Sequence, residues 1–246
     1  MSYDEELNNY IKYVDFNNKI VFDIGANEGD IIEFVLKNSN NTTIYGIEPH
    51  QHNISILNNK FKNNERVRIF NGAINTYNGM CNIGLEEQER VNGLKQGHII
   101  DDNSFIDMQG RDWTNRENNI ECWTLDNICK NADIIKMDIE GFEHKILYET
   151  LPKMSTNTWL IEIHSWEDLE LHGWNINSHN KDNDSLNKMI KLFINNGYSN
   201  FTVAKTRNNK INNINNNTYW SDIPISSYQQ KGKKIYYKVV NIIISK

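Results

Sequence analysis

The stretch Val21-Phe22-Asp23-Ile24-Gly25-Ala26-Asn27-Glu28-Gly29-Asp30 decides how this chain is read. An apolar run ends in an acid, glycines space the turn that follows, and Ile31, Ile32, Val35 and Leu36 then recur at helical spacing. That is how a parallel strand hands over to a helix at a nucleotide-type cofactor site, where glycine lets the backbone take φ > 0 or approach a ligand closely. Working outward, the next apolar run, 43–47, ends in Glu48, with Pro49 after it. An acid there can accept hydrogen bonds from a ribose diol. The plainer reading is a strand-to-helix turn with no ligand, and the paired Glu48 weighs against it.

The spacing of the turn discriminates between cofactors. A dinucleotide fingerprint places glycine at the first, third and sixth positions. Counted from Gly25, those positions hold Gly25, Asn27 and Asp30. Asp30 cannot supply close helix–strand packing, and its charge would repel a pyrophosphate. A cofactor without phosphate suits this turn better. S-adenosylmethionine carries an adenosine, a charged amino acid tail and a sulfonium cation. Asp23 near the cationic end and Glu48 on the ribose would complement it.

The chain has 246 residues, with 26 Lys and Arg against 32 Asp and Glu for a formal net charge of −6. This length fits a single α/β domain over 1–246 with a sizeable core. The acidic balance gives no general attraction to nucleic acid, and the short basic cluster at 231–234 reads as a solvated turn. Cys81, Cys122 and Cys129 form neither an even framework nor a C-x-x-C pair, which points to a reducing compartment. No apolar run reaches membrane-spanning length, and the acidic N-terminus is unlike a signal peptide. The expectation is a soluble cytoplasmic protein with no nucleic-acid partner and no membrane span. Its oligomeric state is left open. Asn, Ile and Lys are abundant, as an AT-rich genome would produce, so the Asn runs read as surface loops.

Strands are expected at 19–24, 43–47, 67–70, 132–137 and 159–163, and a last pair at 201–204 and 235–244 forms a hairpin across the linker 208–217. Helices are expected at 4–14, 31–36, 54–61, 140–149 and 186–194. Alternating strands and helices predict a doubly wound, mostly parallel sheet. Asn78-Gly79 predicts a hairpin within 73–84. Residues 85–118 are polar and aperiodic, and read as a partly ordered loop near the site. A second loop, 165–180, is rich in Trp and His.

The second loaded segment is Ile134-Ile135-Lys136-Met137-Asp138-Ile139-Glu140-Gly141-Phe142-Glu143. In an open α/β sheet the ligand lies outside the carboxyl ends of the strands, so Asp23 and Asp138 should face one crevice. Glu162 and His164 close the neighbouring strand, and alternation puts them on one side, as it does Lys136 and Asp138. Asp138, Glu140, Glu143, Glu162 and His164 therefore gather. Such a group can deprotonate a hydroxyl, with Asp138, His164 and Glu140 as the catalytic candidates. It can also hold a divalent cation such as magnesium, with the ligand set left open. In plainer terms, Glu140 and Glu143 suit a helix N-terminus, and Lys136 is an ion-pair partner inside the sheet.

Taken in order, Phe22 to Gly29, Ile47-Glu48-Pro49, Thr124-Leu125-Asp126, Lys136 to Glu143 and Glu162-Ile163-His164 resemble the FkbM-type methyltransferases from about residue 20 to about residue 205. The resemblance implies a class I, Rossmann-like three-layer sandwich with a seven-stranded, mostly parallel sheet and an antiparallel C-terminal strand. It also implies S-adenosylmethionine as methyl donor and an oxygen acceptor on a sugar, a glycan or a natural product. Carried onto this chain, Asp23, Gly25, Ala26, Asn27 and Gly29 would wrap the methionine end, and Glu48 with Pro49 would hold the ribose. Asn71, Gly72 and Ala73 would lie near the adenine, and Asp138 by the transferring methyl. Phe142 departs from the family pattern, where a small residue is usual.

On the acceptor side, Trp166, His172, Trp174 and His179 could form a sugar-stacking wall or simply cap the sheet. Arg111, Trp113 and Arg116 could clamp an anionic group or sit in a solvated loop. Rival readings are a nicotinamide-dependent sugar-modifying enzyme and a non-catalytic scaffold. The failed glycine pattern and the lack of a Tyr-x-x-x-Lys pair weigh against the first, and the full set of strand-end acids against the second. Methylation of nucleic acid is disfavoured by the charge and by the lack of an Asn/Asp-Pro-Pro-Tyr/Phe segment.

Overall fold

Val21, Phe22, Asp23 and Ile24 are all buried, as a strand covered on both faces requires. They belong to β1 (Ile20–Ile24) of a computed structural model that describes residues 3–86, 96–100, 116–166, 185–206, 214–215, 217–218, 226–230 and 233–246. Helix α1 (Tyr3–Tyr13) precedes it; α2 (Asp30–Lys37), β2 (Thr43–Glu48), α3 (Gln51–Phe61) and β3 (Val67–Asn71) follow. Then come β4 (Ala73–Ile74), β5 (Gly79–Glu86), β6 (Gln96–Ile100), β7 (Arg116–Trp123) and the short α4 (Leu125–Ile128). The rest is β8 (Ile134–Met137), α5 (Glu143–Thr150), β9 (Thr158–Trp166), α6 (Ser185–Asn195), β10 (Asn200–Thr206), β11 (Ser226–Gln230) and β12 (Lys233–Ser245).

The main sheet runs β10-β12-β9-β8-β1-β2-β3, with β11 paired to β12. The β1–β2, β1–β8, β2–β3 and β8–β9 pairs are parallel, while β12 is antiparallel to β9, β10 and β11. This is the expected class I architecture. Side chains alternate between two apolar layers. Phe22, Ile24, Ile135, Met137, Trp159 and Ile161 pack with Leu125 of α4, Leu147 of α5 and Phe193 of α6. Val21, Ile44, Ile134 and Leu160 pack on the other face with Tyr10 of α1, Ile32 of α2 and Leu57 of α3. The result is a three-layer sandwich.

Two expectations are corrected. Residues 73–84 do not form a hairpin, because β4 pairs parallel with β7 and β7 separates it from β5. Asn78 is drawn elsewhere: its Oδ1 accepts hydrogen bonds from Thr124 N and Asn127 Nδ2, both at 3.0 Å, at the start of α4. Residues 85–118 are not simply a loop, since they contain β6 and parts of β5 and β7 in a second sheet of order β4-β7-β5-β6. The strand pattern is hidden in sequence because Asn118, Asn119 and Glu121 of β7 are exposed, and the β5–β7 register shifts between Cys81 and Ile83. Among the described residues, no helix is long and apolar enough to cross a membrane.

Candidate active site

The turn after β1 is held by its neighbours on both sides. Gly25 N and Ala26 N both donate to Ile47 O, at 3.0 and 3.1 Å, and Asp138 N donates to Ile24 O at 3.1 Å. Gly25 has φ +76°, and a Cβ there would lie 2.0 Å from Asp138 O. Only glycine lets the two chains lie this close. Asn27 is also left-handed, at φ +49°, a conformation Asn tolerates better than most residues. Gly29, at φ +88°, precedes α2, and a Cβ on it would meet Phe61 at 2.6 Å and Leu57 at 2.8 Å. It therefore supplies the close packing that Asp30 could not, one residue earlier than the dinucleotide spacing counts it. Asp30 instead opens α2, near Lys60 at 3.8 Å.

Glu48 ends β2 and is buried, with both carboxylate oxygens engaged. Oε2 accepts from Asn27 N at 2.9 Å, and Oε1 accepts from His50 N at 2.9 Å and Asn53 Nδ2 at 3.3 Å. Burial raises the Glu48 pKa, and the His50 and Asn27 amides oppose the rise. Gly72 N reaches Glu48 O at 3.1 Å, so 72–73 lie against the acid, and Ala73 is buried. Asn71 is exposed and donates to Gln51 Oε1 at 3.0 Å; Pro49 is half-buried. His50 is tied to the second sheet, its Nδ1 lying 2.7 Å from Glu117 Oε1.

Asp23 is fully buried beside Lys136, whose Nζ lies 3.5 Å from its Oδ1 and 3.8 Å from Asp138 Oδ2. Burial raises the Asp23 pKa, and Lys136 counters it. After β8 the chain turns through left-handed Glu140 (φ +56°) and Gly141 (φ +106°). This turn lets Ile139 N and Gly141 N both donate to Glu143 Oε1, at 3.0 and 3.1 Å. The same Oε1 lies 3.2 Å from His164 Nδ1. On the other side of the ring, His164 Nε2 faces Glu162 Oε1 at 3.5 Å, Glu140 Oε2 at 3.6 Å and Asp138 Oδ1 at 4.0 Å.

Burial alone would lower the His164 pKa, but Glu143, Glu162 and Glu140 carry it well above the usual histidine value. Burial alone would raise Glu143, yet the charge and hydrogen bond of His164 bring it below its ordinary value. Asp138 is held well above the carboxylate range, by burial first and by Glu162 second. Its side chain is 27 % exposed, like Glu162 at 25 %, against 4 % for His164, so the carboxylates at Nε2 form the open side of the cluster.

The sequence matches the profile of the methyltransferase FkbM domain over residues 23–200. The chain belongs to the FkbM methyltransferase family. No curated protein matches it in sequence. Among solved structures it is similar to a precorrin-6y C5,15-methyltransferase from Geobacter metallireducens, at 10 % identity and TM-score 0.45, over 99 % of this chain and 86 % of that one. It is also similar to fibrillarin from Aeropyrum pernix with natively bound S-adenosyl-L-methionine, at 8 % identity and TM-score 0.43, over 96 % and 73 % of the two chains. A third is TYW2 from M. jannaschii in complex with AdoMet, at 13 % identity and TM-score 0.44, over 100 % and 78 %. Likeness of this order decides nothing about substrate; the fold rests on the strand order itself.

In this FkbM domain the strand-end residues converge as expected: Asp138, Glu140, Glu143, Glu162 and His164 meet around one imidazole. The structure adds what sequence reasoning did not single out. His50, Asn53 and Glu117 fix the surroundings of Glu48; Glu143, named from the sequence, turns out to tie the cluster to the main chain. His50 could have been found from its place two residues after Glu48. Glu117 gave no signal, lying 67 residues from His50 on a polar strand. Phe142, where the FkbM pattern has a small residue, is buried in the layer with Leu147. Arg111, Trp113, His172, Trp174 and His179 lie outside the described residues, as do the side chains of Arg116 and Trp166.

Proposed function

We propose that this FkbM methyltransferase transfers a methyl group from S-adenosylmethionine to a hydroxyl of a sugar or glycan in the cytoplasm. The observation that carries the reading is the contact of Gly25 with Asp138, which sets the cofactor turn directly against the carboxylate–histidine cluster. The residues suit the cofactor. Glu48 Oε1 already accepts two protein donors and Oε2 one, so Oε2 keeps a lone pair for one ribose hydroxyl. Asn27 Oδ1 and Asp138 Oδ1 are buried acceptors without a hydrogen-bond partner among the described residues, and an ammonium or a hydroxyl would satisfy them. S-adenosylmethionine supplies an electrophilic methyl, and the electrons of the broken C–S bond stay on sulfur.

This chain's residues handle the proton. A carboxylate whose proton affinity is raised by burial and by Glu162 is a stronger base than an ordinary one, and Asp138 lies on the partly open side of the cluster. Asp138 accepts the hydroxyl proton as the oxygen attacks the methyl carbon. His164, its Nδ1 fixed by Glu143, balances the change in charge. Much of the rate comes from holding acceptor and donor in line. The acids Asp138, Glu140 and Glu162 repel an anionic acceptor, which favours a neutral sugar hydroxyl over a phosphate-rich substrate.

The test is an acceptor panel of neutral sugars, small-molecule alcohols, amines and RNA, incubated with methyl-labelled S-adenosylmethionine. Label in an O-methyl sugar supports the reading; label only in another alcohol, an amine or RNA contradicts the acceptor class.

A further inference from the structure

Around His164 the negative charge outnumbers the positive. Among the described residues, the carboxylates Asp23, Asp138, Glu140, Glu143 and Glu162 gather about Lys136 and His164, with His144 beside Glu143. Some of this is settled within the protein, since Lys136 serves Asp23 and Asp138, and two main-chain amides serve Glu143 Oε1. Much is not. Glu143 is fully buried, yet its Oε2 has no hydrogen-bond partner among the described residues, nor has Asp138 Oδ1. A buried carboxylate oxygen without a donor is costly unless something cationic meets it.

The distances describe what would meet it. Glu162, Glu140 and Asp138 oxygens stand 3.5, 3.6 and 4.0 Å from His164 Nε2, long for hydrogen bonds, which cluster near 2.7–3.2 Å. Two ligands of one octahedral cation with bonds of about 2.0–2.1 Å lie about 2.9 Å apart when adjacent and about 4.1 Å apart when opposite. The observed 3.5 and 3.6 Å lie between those two values, so the side chains would draw together to share an ion. Asp138, Glu143 and His164 each present a ligand atom within 4.8 Å of the other two. His164 and Glu143 are rigidly placed, through a strand and through main-chain bonds, as a preformed site requires.

We propose that this cluster binds one divalent cation through His164 Nε2, with Asp138, Glu140 and Glu162 around it and Glu143 orienting the ring from Nδ1. One imidazole with several carboxylates suits a hard ion such as Mg2+ or Mn2+ better than a thiophilic one. Its catalytic role rests on the methyltransferase reading. A cation held there would supply Lewis-acid acidification of a nearby acceptor hydroxyl, easing passage of its proton to Asp138. The binding itself does not depend on that reading.

The experiment is a titration of Mn2+ into the full chain without cofactor, followed by the loss of the free-ion paramagnetic resonance signal, on the unsubstituted chain and on D138N, H164N and E143Q. Far-ultraviolet circular dichroism and melting temperature check that each variant is folded. The expected result is one saturable site per chain, weakened at least tenfold in D138N and H164N and competed by Mg2+. D138N is the decisive variant, because its side chain is partly open and the substitution keeps its shape. Absence of saturable binding, or binding within twofold of the unsubstituted chain in folded D138N and H164N, overturns the proposal. A parallel titration with S-adenosylhomocysteine separates the two assignments: cofactor without Mn2+ defeats the metal site alone, and Mn2+ without cofactor defeats the methyltransferase reading alone.

Discussion

Gly25 and Asp138 meet through their main chains, so closely that a Cβ on Gly25 would lie 2.0 Å from the Asp138 carbonyl oxygen. Through this contact the first strand's turn and the fourth parallel strand's acid form one surface. Alanine at 25 must either leave φ +76° or push Asp138 away, at a cost of at least ~1–2 kcal/mol from the left-handed backbone alone. G25A is expected to melt lower and to lose S-adenosylhomocysteine binding. Unchanged affinity in titration calorimetry would show that the contact does not set the site.

Lys136 is the cation that makes Asp23 tolerable in the core. Removing one partner of a buried pair costs about 3–5 kcal/mol, so K136M should lower the unfolding free energy by ~3 kcal/mol in urea denaturation. D23N added to K136M should return most of the loss. If D23N and K136M losses simply add, the two residues are not coupled.

Glu48 makes three hydrogen bonds to the protein, so replacing it affects structure as well as ligand. E48Q keeps the size but puts a donor where Asn27 N or His50 N now donates. It should weaken S-adenosylhomocysteine by about tenfold to a hundredfold, since hydrogen bonds to a charged group contribute about 1.5–3 kcal/mol. Affinity for homocysteine-type fragments without ribose should hardly change. Equal losses for both ligands would remove Glu48 from the ribose.

His144 makes the fold acid-sensitive. Burial lowers its pKa to about 4, against about 6.5 in an unfolded chain. The folded state keeps it neutral while the unfolded state takes up a proton, so its contribution is complete above pH 6.5 and is lost as pH falls toward 4. Each unit of difference is worth about 1.4 kcal/mol. Glu143, lowered in the folded state, adds loss in the same direction near its own range. His164, raised in the folded state, acts oppositely, its contribution being complete below pH 6.5 and lost as pH rises above it. Comparing H144Q with the unsubstituted chain isolates His144: its melting temperature should fall less between pH 7 and pH 5. Parallel curves would refute the assignment.

The main sheet was legible because its strands are buried on both faces and end in acids where the ligand side begins. Asp23, Glu48, Asp138 and His164 could be placed at one end from strand order alone. The second sheet was not legible. Asn118, Asn119 and Glu121 of β7 face water, a bulge breaks the β5 alternation, and Asn78 of the Asn78-Gly79 pair that signals a hairpin is used to bind the start of α4. Partners such as Glu117 for His50 arise only from tertiary contact, with no local pattern to betray them. Gly29 could have been recognised as the packing glycine had α2 been started at Asp30, the residue that follows it.

The most direct test of the cofactor assignment is thermal unfolding of the full chain with S-adenosylhomocysteine and, separately, with NADH. A ligand at about a hundred times its Kd stabilises by roughly 2.7 kcal/mol, which for a chain of this length raises the midpoint by about 5–10 °C. A rise of that size with S-adenosylhomocysteine and none with NADH is the expected result. No rise with S-adenosylhomocysteine, or a rise with NADH alone, would contradict the assignment of Glu48 and the β1 turn to a methyl donor.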